Sequence, residues 1–327
     1  MADFFYNDAG RLRSVWRLAA FLFAACVVYV AILIAARFVP AFFVSRETYE
    51  WLLDESAWGW IIQSVVVFVP AAVVGWVCAS SIEDLPWRSL GWALHRGWLR
   101  DMLMGTLVGG VSVCLAALVG AVAGGYSFAV GDAGGGLART LLVSAVVFLL
   151  GSAAEEMLFR GYALQTLMRS WPLWVALLPA SVFFAAVHLG NPNVARGVTF
   201  VNTVLAGVWL GVAYWKTRSL WLPTGLHFGW NWVQGALLGS PVSGITQITP
   251  DPLLRFTSAE PFWLGGGKYG IEGGAACTLA LVVSTVFVWR ARLFKADPEL
   301  LQYTDGESPN PQALHVTPPM TPPPAGR

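Results

Sequence analysis

The sequence predicts an all-α, polytopic membrane protein with about eight transmembrane helices and both termini cytoplasmic. Three observations lead there. Of 327 residues, 56% are hydrophobic and only 12% charged, against roughly 25% charged in a soluble domain. The mean hydropathy is +0.61. The apolar residues fall in runs of the length, about 20 residues, that crosses a bilayer core as a helix.

The runs lie at 15–38, 57–79, 99–123, 137–160, 173–190, 197–215, 219–238 and 275–291. The first follows "MADFFYNDAGRLRSVWR" and is too long for the apolar core of a secretory signal, with no A-x-A-like cleavage site after it. It reads as a retained helix. Orientation follows from Lys and Arg. With the N-terminus inside, thirteen of them fall on the cytoplasmic side and six opposite. Between the second and third runs, "EDLPWRSLGWALHRGWLR" (83–100) mixes Trp with basic residues and suits an interfacial helix. The polar segment after Asp297 ends "HVTPPMTPPPAGR", where Pro forbids helix. The expected organisation is two N-terminal helices (1–79), a core (80–295) and a Pro-rich disordered tail (296–327). No internal repeat is visible.

Composition also excludes. A net charge of +1 lacks the basic surface of a nucleic-acid binder. Cys26, Cys78, Cys114 and Cys277 lie in apolar runs, at neither metal-binding nor disulfide spacing.

Against this apolar background, "SAAEEMLFRGY" (152–162) demands a reason. Charges at bilayer depth are costly and usually face a water-filled cavity. On a helix, Glu156 and Arg160 stand four apart and share a face, where they can neutralise one another. Glu155 is rotated by about 100° and is free to face a cavity. One carboxylate is then structural and its neighbour chemical. The alternative is that both simply cap a helix near the interface. Of four His, His95 and His315 fall in the polar segments, whereas His188 ("VFFAAVHLGN") and His227 ("TGLHFGWNW") fall in apolar spans. Phe184 precedes His188 by one turn, and Asn231 follows His227 by one turn. If "RSWPLW" (169–174) is the turn of a helical hairpin, Glu155 and His188 face each other, roughly 25 Å from that turn at 1.5 Å per residue.

These residues, Glu155-Glu156-x-x-x-Arg160, Phe184-x-x-x-His188 and His227-x-x-x-Asn231, resemble in this order the CPBP intramembrane proteases. That family includes the CAAX prenyl endopeptidase Rce1 and bacterial Abi-type proteins. The resemblance covers about residues 80–275. The loop "FWLGGGKYGIEGG" is similar to a glycine-rich segment of bacterial members and is expected to be structural; Tyr269 stands where a phosphate-binding loop needs Ser or Thr.

The resemblance implies hydrolysis of a peptide bond within the membrane. Its catalytic set here is Glu155, Glu156, Arg160, His188, His227 and Asn231. Glu155, assisted by His188, would activate water, and His227 and Asn231 would donate to the oxyanion. No metal is the favoured reading, because the Asn231 amide is a poor zinc ligand and no HExxH occurs. The alternative is Zn²⁺ on Glu155, His188 and His227. GxSG and GxGD, marks of other intramembrane proteases, are also absent. The implied partner is a membrane-anchored or prenylated protein or peptide. A eukaryotic member would remove the last three residues of a Cys-a-a-X terminus. The Ala/Gly/Trp-rich, short-looped chain resembles bacterial members, which implies a bacterial inner membrane location. Two rivals remain: a non-proteolytic scaffold or bacteriocin-immunity protein of the same fold, and a transporter using Glu155 and the His residues as a proton relay.

Overall fold

The computed structural model describes residues 2–7, 10–38, 45, 47–48, 57–131, 134–194 and 197–306. Among the described residues, eight helices of 12 residues or more follow the apolar runs. They are α1 (Ser14–Phe38), α2 (Ala57–Glu83), α3 (Trp98–Val122), α4 (Gly136–Ser170), α5 (Leu173–Val187), α6 (Val198–Thr217), α7 (Trp221–Trp232) and α8 (Ala275–Arg290). Among the described residues, α1 to α6 contain the spans long and apolar enough to cross a membrane, and α8 is a shorter apolar helix. Helix α7 has 12 residues and continues into a π-turn, Val233–Leu237. The polytopic all-α expectation therefore holds.

Helix α4 is longer than its apolar run. Its 35 residues extend about 52 Å at 1.5 Å each, well beyond a bilayer core of about 30 Å. It is α-helical to Glu156, opens into a π-turn at Met157–Gly161, and resumes as Tyr162–Ser170. Trp171 and Pro172 then turn the chain into α5, as the spacing predicts.

Helix α7 sits centrally, against α3, α4 and α6. Its approach to α3 is set by glycine on both sides. A Cβ at Gly109 would overlap the Leu226 carbonyl, and one at Gly229 would overlap the Thr106 carbonyl. Gly105 and Gly225 meet the same crowding. Each helix thus carries a small-x-x-x-small pair, the device that lets helices approach in lipid, where apolar burial gives no drive.

Two further ties close the molecule. A two-stranded antiparallel sheet pairs β1 (Tyr126–Val130) with β2 (Leu254–Ser258), in the register Tyr126↔Ser258 to Val130↔Leu254. It fastens the end of α3 to the segment leading into α8. At the end of α2, Glu83 is buried between Arg17 and Arg169, each 2.5 Å from one of its oxygens. This binds α1, α2 and the end of α4.

Two expectations are corrected. Residues 83–100 do not form an interfacial helix. Only Trp87–Leu90 makes a 3-10 turn, bounded by Pro86 and by Gly91 at φ 99°, a conformation that stops a helix. Trp92 and Trp98 instead pack on Trp221, with ring centroids 4.6 Å away in each case. The tail also begins later than residue 296. Pro298–Thr304 is helical, capped by Asp297 and held on the core by Arg88–Glu299 and by Arg218 donating to the Thr304 carbonyl. Residues 307–327, with His315 and the Pro-rich stretch, lie outside the described residues.

Filling the α3–α7 contact is expected to destabilise the fold. In mixed-micelle SDS unfolding, Gly109→Leu should cost at least ~1–3 kcal/mol, as overpacking does. Gly135→Ala, where a Cβ meets nothing within 4 Å, should stay within about 0.5 kcal/mol of wild type.

Candidate active site

Three helices converge on one point. Helix α4 brings Glu155, Glu156 and Arg160, α5 ends at His188, and α7 brings His227 and Asn231. The two adjacent glutamates are divided as helix geometry predicts. The Glu156 side chain is 0% exposed; its Oε1 accepts from Arg160 Nη1 at 3.1 Å and from His227 Nδ1 at 2.9 Å. The Glu155 side chain is 35% exposed, with Oε2 3.6 Å from His188 Nε2 and 3.9 Å from His227 Nε2.

Arg160 ties the remaining wall together. It donates to the Gly207 carbonyl on α6 at 3.4 Å, and its guanidinium lies 4.3 Å from the Phe184 ring centroid. Phe184 in turn packs on the His188 ring at 4.3 Å. The Phe184 that marks the second motif is therefore a shelf for both a cation and an imidazole.

Hydrogen-bond chemistry fixes how the imidazoles face. His188 Nδ1 is 2.8 Å from the Phe184 carbonyl, which has no proton to give, so Nδ1 donates. His227 Nδ1 likewise faces an oxygen of the Glu156 carboxylate, which also accepts from Arg160, so it donates there. Both Nε2 atoms are therefore presented to Glu155. Each meets it with a lone pair when neutral and with an N–H when protonated. A water molecule suits this junction, because it can donate to one acceptor and keep its oxygen free.

The donor set has the chemistry of a zinc site, though not its spacing. Zn–ligand bonds of about 2.0–2.1 Å put tetrahedral ligand atoms roughly 3.3 Å apart, closer than the 3.6 and 3.9 Å found here. Among the described residues no group of three His, Cys, Asp or Glu side chains is arranged to hold a metal ion.

A cavity opens beside this junction, and His188, His227, Trp230, Asn231, Ser243 and Glu272 are among the residues that line it. Among the described residues the Asn231 side chain has no hydrogen-bond partner. Glu272 is the residue that sequence reasoning missed. It belongs to the loop read as merely structural. The signal was an acid embedded in "YGIEGG", with no other acid between Glu260 and Asp297. Its carboxylate accepts from Trp230 Nε1 (3.2 Å), Ser243 N (2.6 Å) and Ser243 Oγ (3.0 Å). Burial pushes its pKa above the ordinary carboxyl value, opposed by the two Ser243 donors. The glycines explain the delivery: Gly270 has φ 94°, and a Cβ there would overlap the Pro241 carbonyl. From α6, Asn202 holds the loop by donating to the Glu272 and Gly274 carbonyls at 2.8 and 3.0 Å.

The division between the glutamates makes a prediction that needs no substrate. Glu156→Gln should cost about 3 kcal/mol or more in mixed-micelle unfolding, because it leaves Arg160 a buried, uncompensated charge. Glu155→Gln, at the half-open position, should cost less than about 1 kcal/mol. Equal losses would contradict the assignment.

Residues 137–233, from the start of α4 to the first residue of the π-turn after α7, match a family model described as "Type II CAAX prenyl endopeptidase Rce1-like". No curated protein and no solved structure matches the chain. Glu155, Glu156, Arg160, His188, His227 and Asn231 all lie inside the matched span, so this stretch of a polytopic helical membrane protein is similar to the Rce1-like family.

Proposed function

We propose that the protein is an intramembrane endopeptidase in which Glu155 activates the attacking water. The observation that carries this reading is Glu155 Oε2 standing between His188 Nε2 and His227 Nε2, at 3.6 and 3.9 Å, beside a cavity walled by membrane helices. Water held by Glu155 and His188 gives its proton to the Glu155 carboxylate as its oxygen attacks the scissile carbonyl carbon. The oxyanion takes hydrogen bonds from the Asn231 amide and from His227 Nε2–H, the ring being held in place by its Nδ1 contact with Glu156. The C–N bond then breaks, and the proton held on Glu155 passes to the leaving amine. Glu156 and Arg160 touch no reacting atom and act as positioning residues.

The reaction as written uses protein residues alone. A zinc ion on Glu155, His188 and His227 would supply a Lewis acid at the same point. The substrate is a membrane-anchored or lipidated polypeptide, reached from within the bilayer. The charge distribution of the loops supports cytoplasmic termini, and the Ala/Gly/Trp-rich chain supports a bacterial inner membrane.

The test is cleavage of a farnesylated Cys-a-a-X peptide and a membrane-peptide library by purified protein, with and without a zinc chelator. Glu155→Gln should abolish cleavage. Asn231→Ala should lower kcat by about 10²–10³, the usual cost of one oxyanion donor. The chelator should have no effect. Loss of activity with chelator and its return with zinc would replace the water-only reading by the zinc one. A cellular phenotype that survives Glu155→Gln would favour the non-proteolytic scaffold.

A further inference from the structure

The cavity beside the catalytic junction ends on a second carboxylate that the chemistry above does not use. Glu272 is held by Trp230 Nε1, Ser243 N and Ser243 Oγ. Two of these are N–H groups with nothing to accept, so the pocket is built around an acceptor, and a carboxylate is what fills it. Among the described residues no Lys or Arg side chain lines the cavity. The nearest guanidinium at the site, Arg160, is turned to Glu156 and Phe184. Among the described residues the only cationic capacity on the cavity wall is that of the two imidazoles, and both already face Glu155. On that wall a ligand meets the Glu272 carboxylate and no permanent cation. Glu272 Oε1 accepts one hydrogen bond, from Trp230, and a carboxylate oxygen can take two.

From this wall we propose that Glu272 is a specificity-determining residue, which takes a hydrogen-bond donor of the substrate and excludes a free C-terminal carboxylate from the cavity. The proposal rests on the peptidase reading. Cys-a-a-X cleavage puts a terminal carboxylate three residues beyond the scissile bond, about 10 Å away in an extended chain. An enzyme built for that substrate would be served by a cation in its cavity, and among the described residues this cavity presents a carboxylate instead. The favoured substrate is cut at an internal peptide bond, where the chain beyond the scissile bond offers backbone N–H groups. Ser243 and Trp230 keep the carboxylate aimed, and Asn202 holds its backbone.

Binding tests this without requiring turnover. A fluorescent farnesylated Cys-a-a-X peptide and the same peptide ending in a carboxamide are titrated onto full-length Glu155→Gln protein in detergent. The carboxamide should bind at least about tenfold tighter, since like charges brought together in a site are strongly disfavoured. In Glu155→Gln/Glu272→Gln the ratio should fall to between about 1 and 3 through tighter binding of the free acid. Glu155→Gln/Glu272→Asp, which keeps the charge, should retain the preference and so controls for loss of the fold. Equal binding of the two peptides, binding of neither, or a ratio unchanged by Glu272→Gln overturns the proposal. Failure of wild-type protein to cleave any peptide would count against the peptidase reading and leaves this binding result readable.

Discussion

A carboxylate that never meets water organises this molecule. Glu156 on α4 accepts from Arg160 one turn on and from His227 on α7. Arg160 carries the connection to α6 through the Gly207 carbonyl and to α5 through Phe184. One ion pair thus ties together four of the helices around the site. Buried ion pairs seldom add net stability, because desolvation offsets their attraction. What this pair supplies is geometry. In lipid, where apolar burial does not select among helix arrangements, a hydrogen-bonded charge satisfied in only one arrangement defines the packing.

The rest of the site follows from that anchor. Because Glu156 is committed to the interior, Glu155 points elsewhere, toward the mouth of the hairpin where His188 arrives. Because His227 spends Nδ1 on Glu156, its Nε2 is left for the cavity. Two of the three site-bearing helices break α-geometry next to their functional residues, α4 at Met157–Gly161 and α7 at Val233–Leu237. Single π-turns of this kind recur at functional sites, where an extra residue per turn re-aims side chains at a cost in backbone bonding. The α3–α7 glycine contact supplies the stiffness behind them: with backbone pressed against backbone, α7 has no room to slide.

Much of this was legible in the amino-acid order. Glu156 and Arg160 are an i,i+4 pair, and the i,i+4 rule is purely local. The meeting of Glu155 with His188 needed only the turn at Trp171–Pro172 and equal helical distances on either side. What escaped were features set by distant chain. Glu272 reaches the cavity because β2 pairs with β1 and because glycines fold residues 266–274 back against α6; nothing near it in sequence signals that. Residues 83–100 carry the composition of an interfacial helix, yet Pro86 and a left-handed Gly91 break them, and their Trp side chains find a partner in Trp221. Glu83 opens that same segment, and its burial between Arg17 and Arg169 depends on α4 running ten residues past its apolar run.

The central claim is that this junction of one carboxylate and two imidazoles uses water to cut a peptide bond. It is met most directly by proteolysis in H₂¹⁸O with mass spectrometry of both fragments. The account predicts one ¹⁸O atom in the newly formed C-terminal carboxylate of the N-terminal fragment, and none in the other fragment. Fragments whose new carboxylate carries no ¹⁸O from the first turnover would contradict it, since the bond would then have been broken by a nucleophile of the protein or substrate itself.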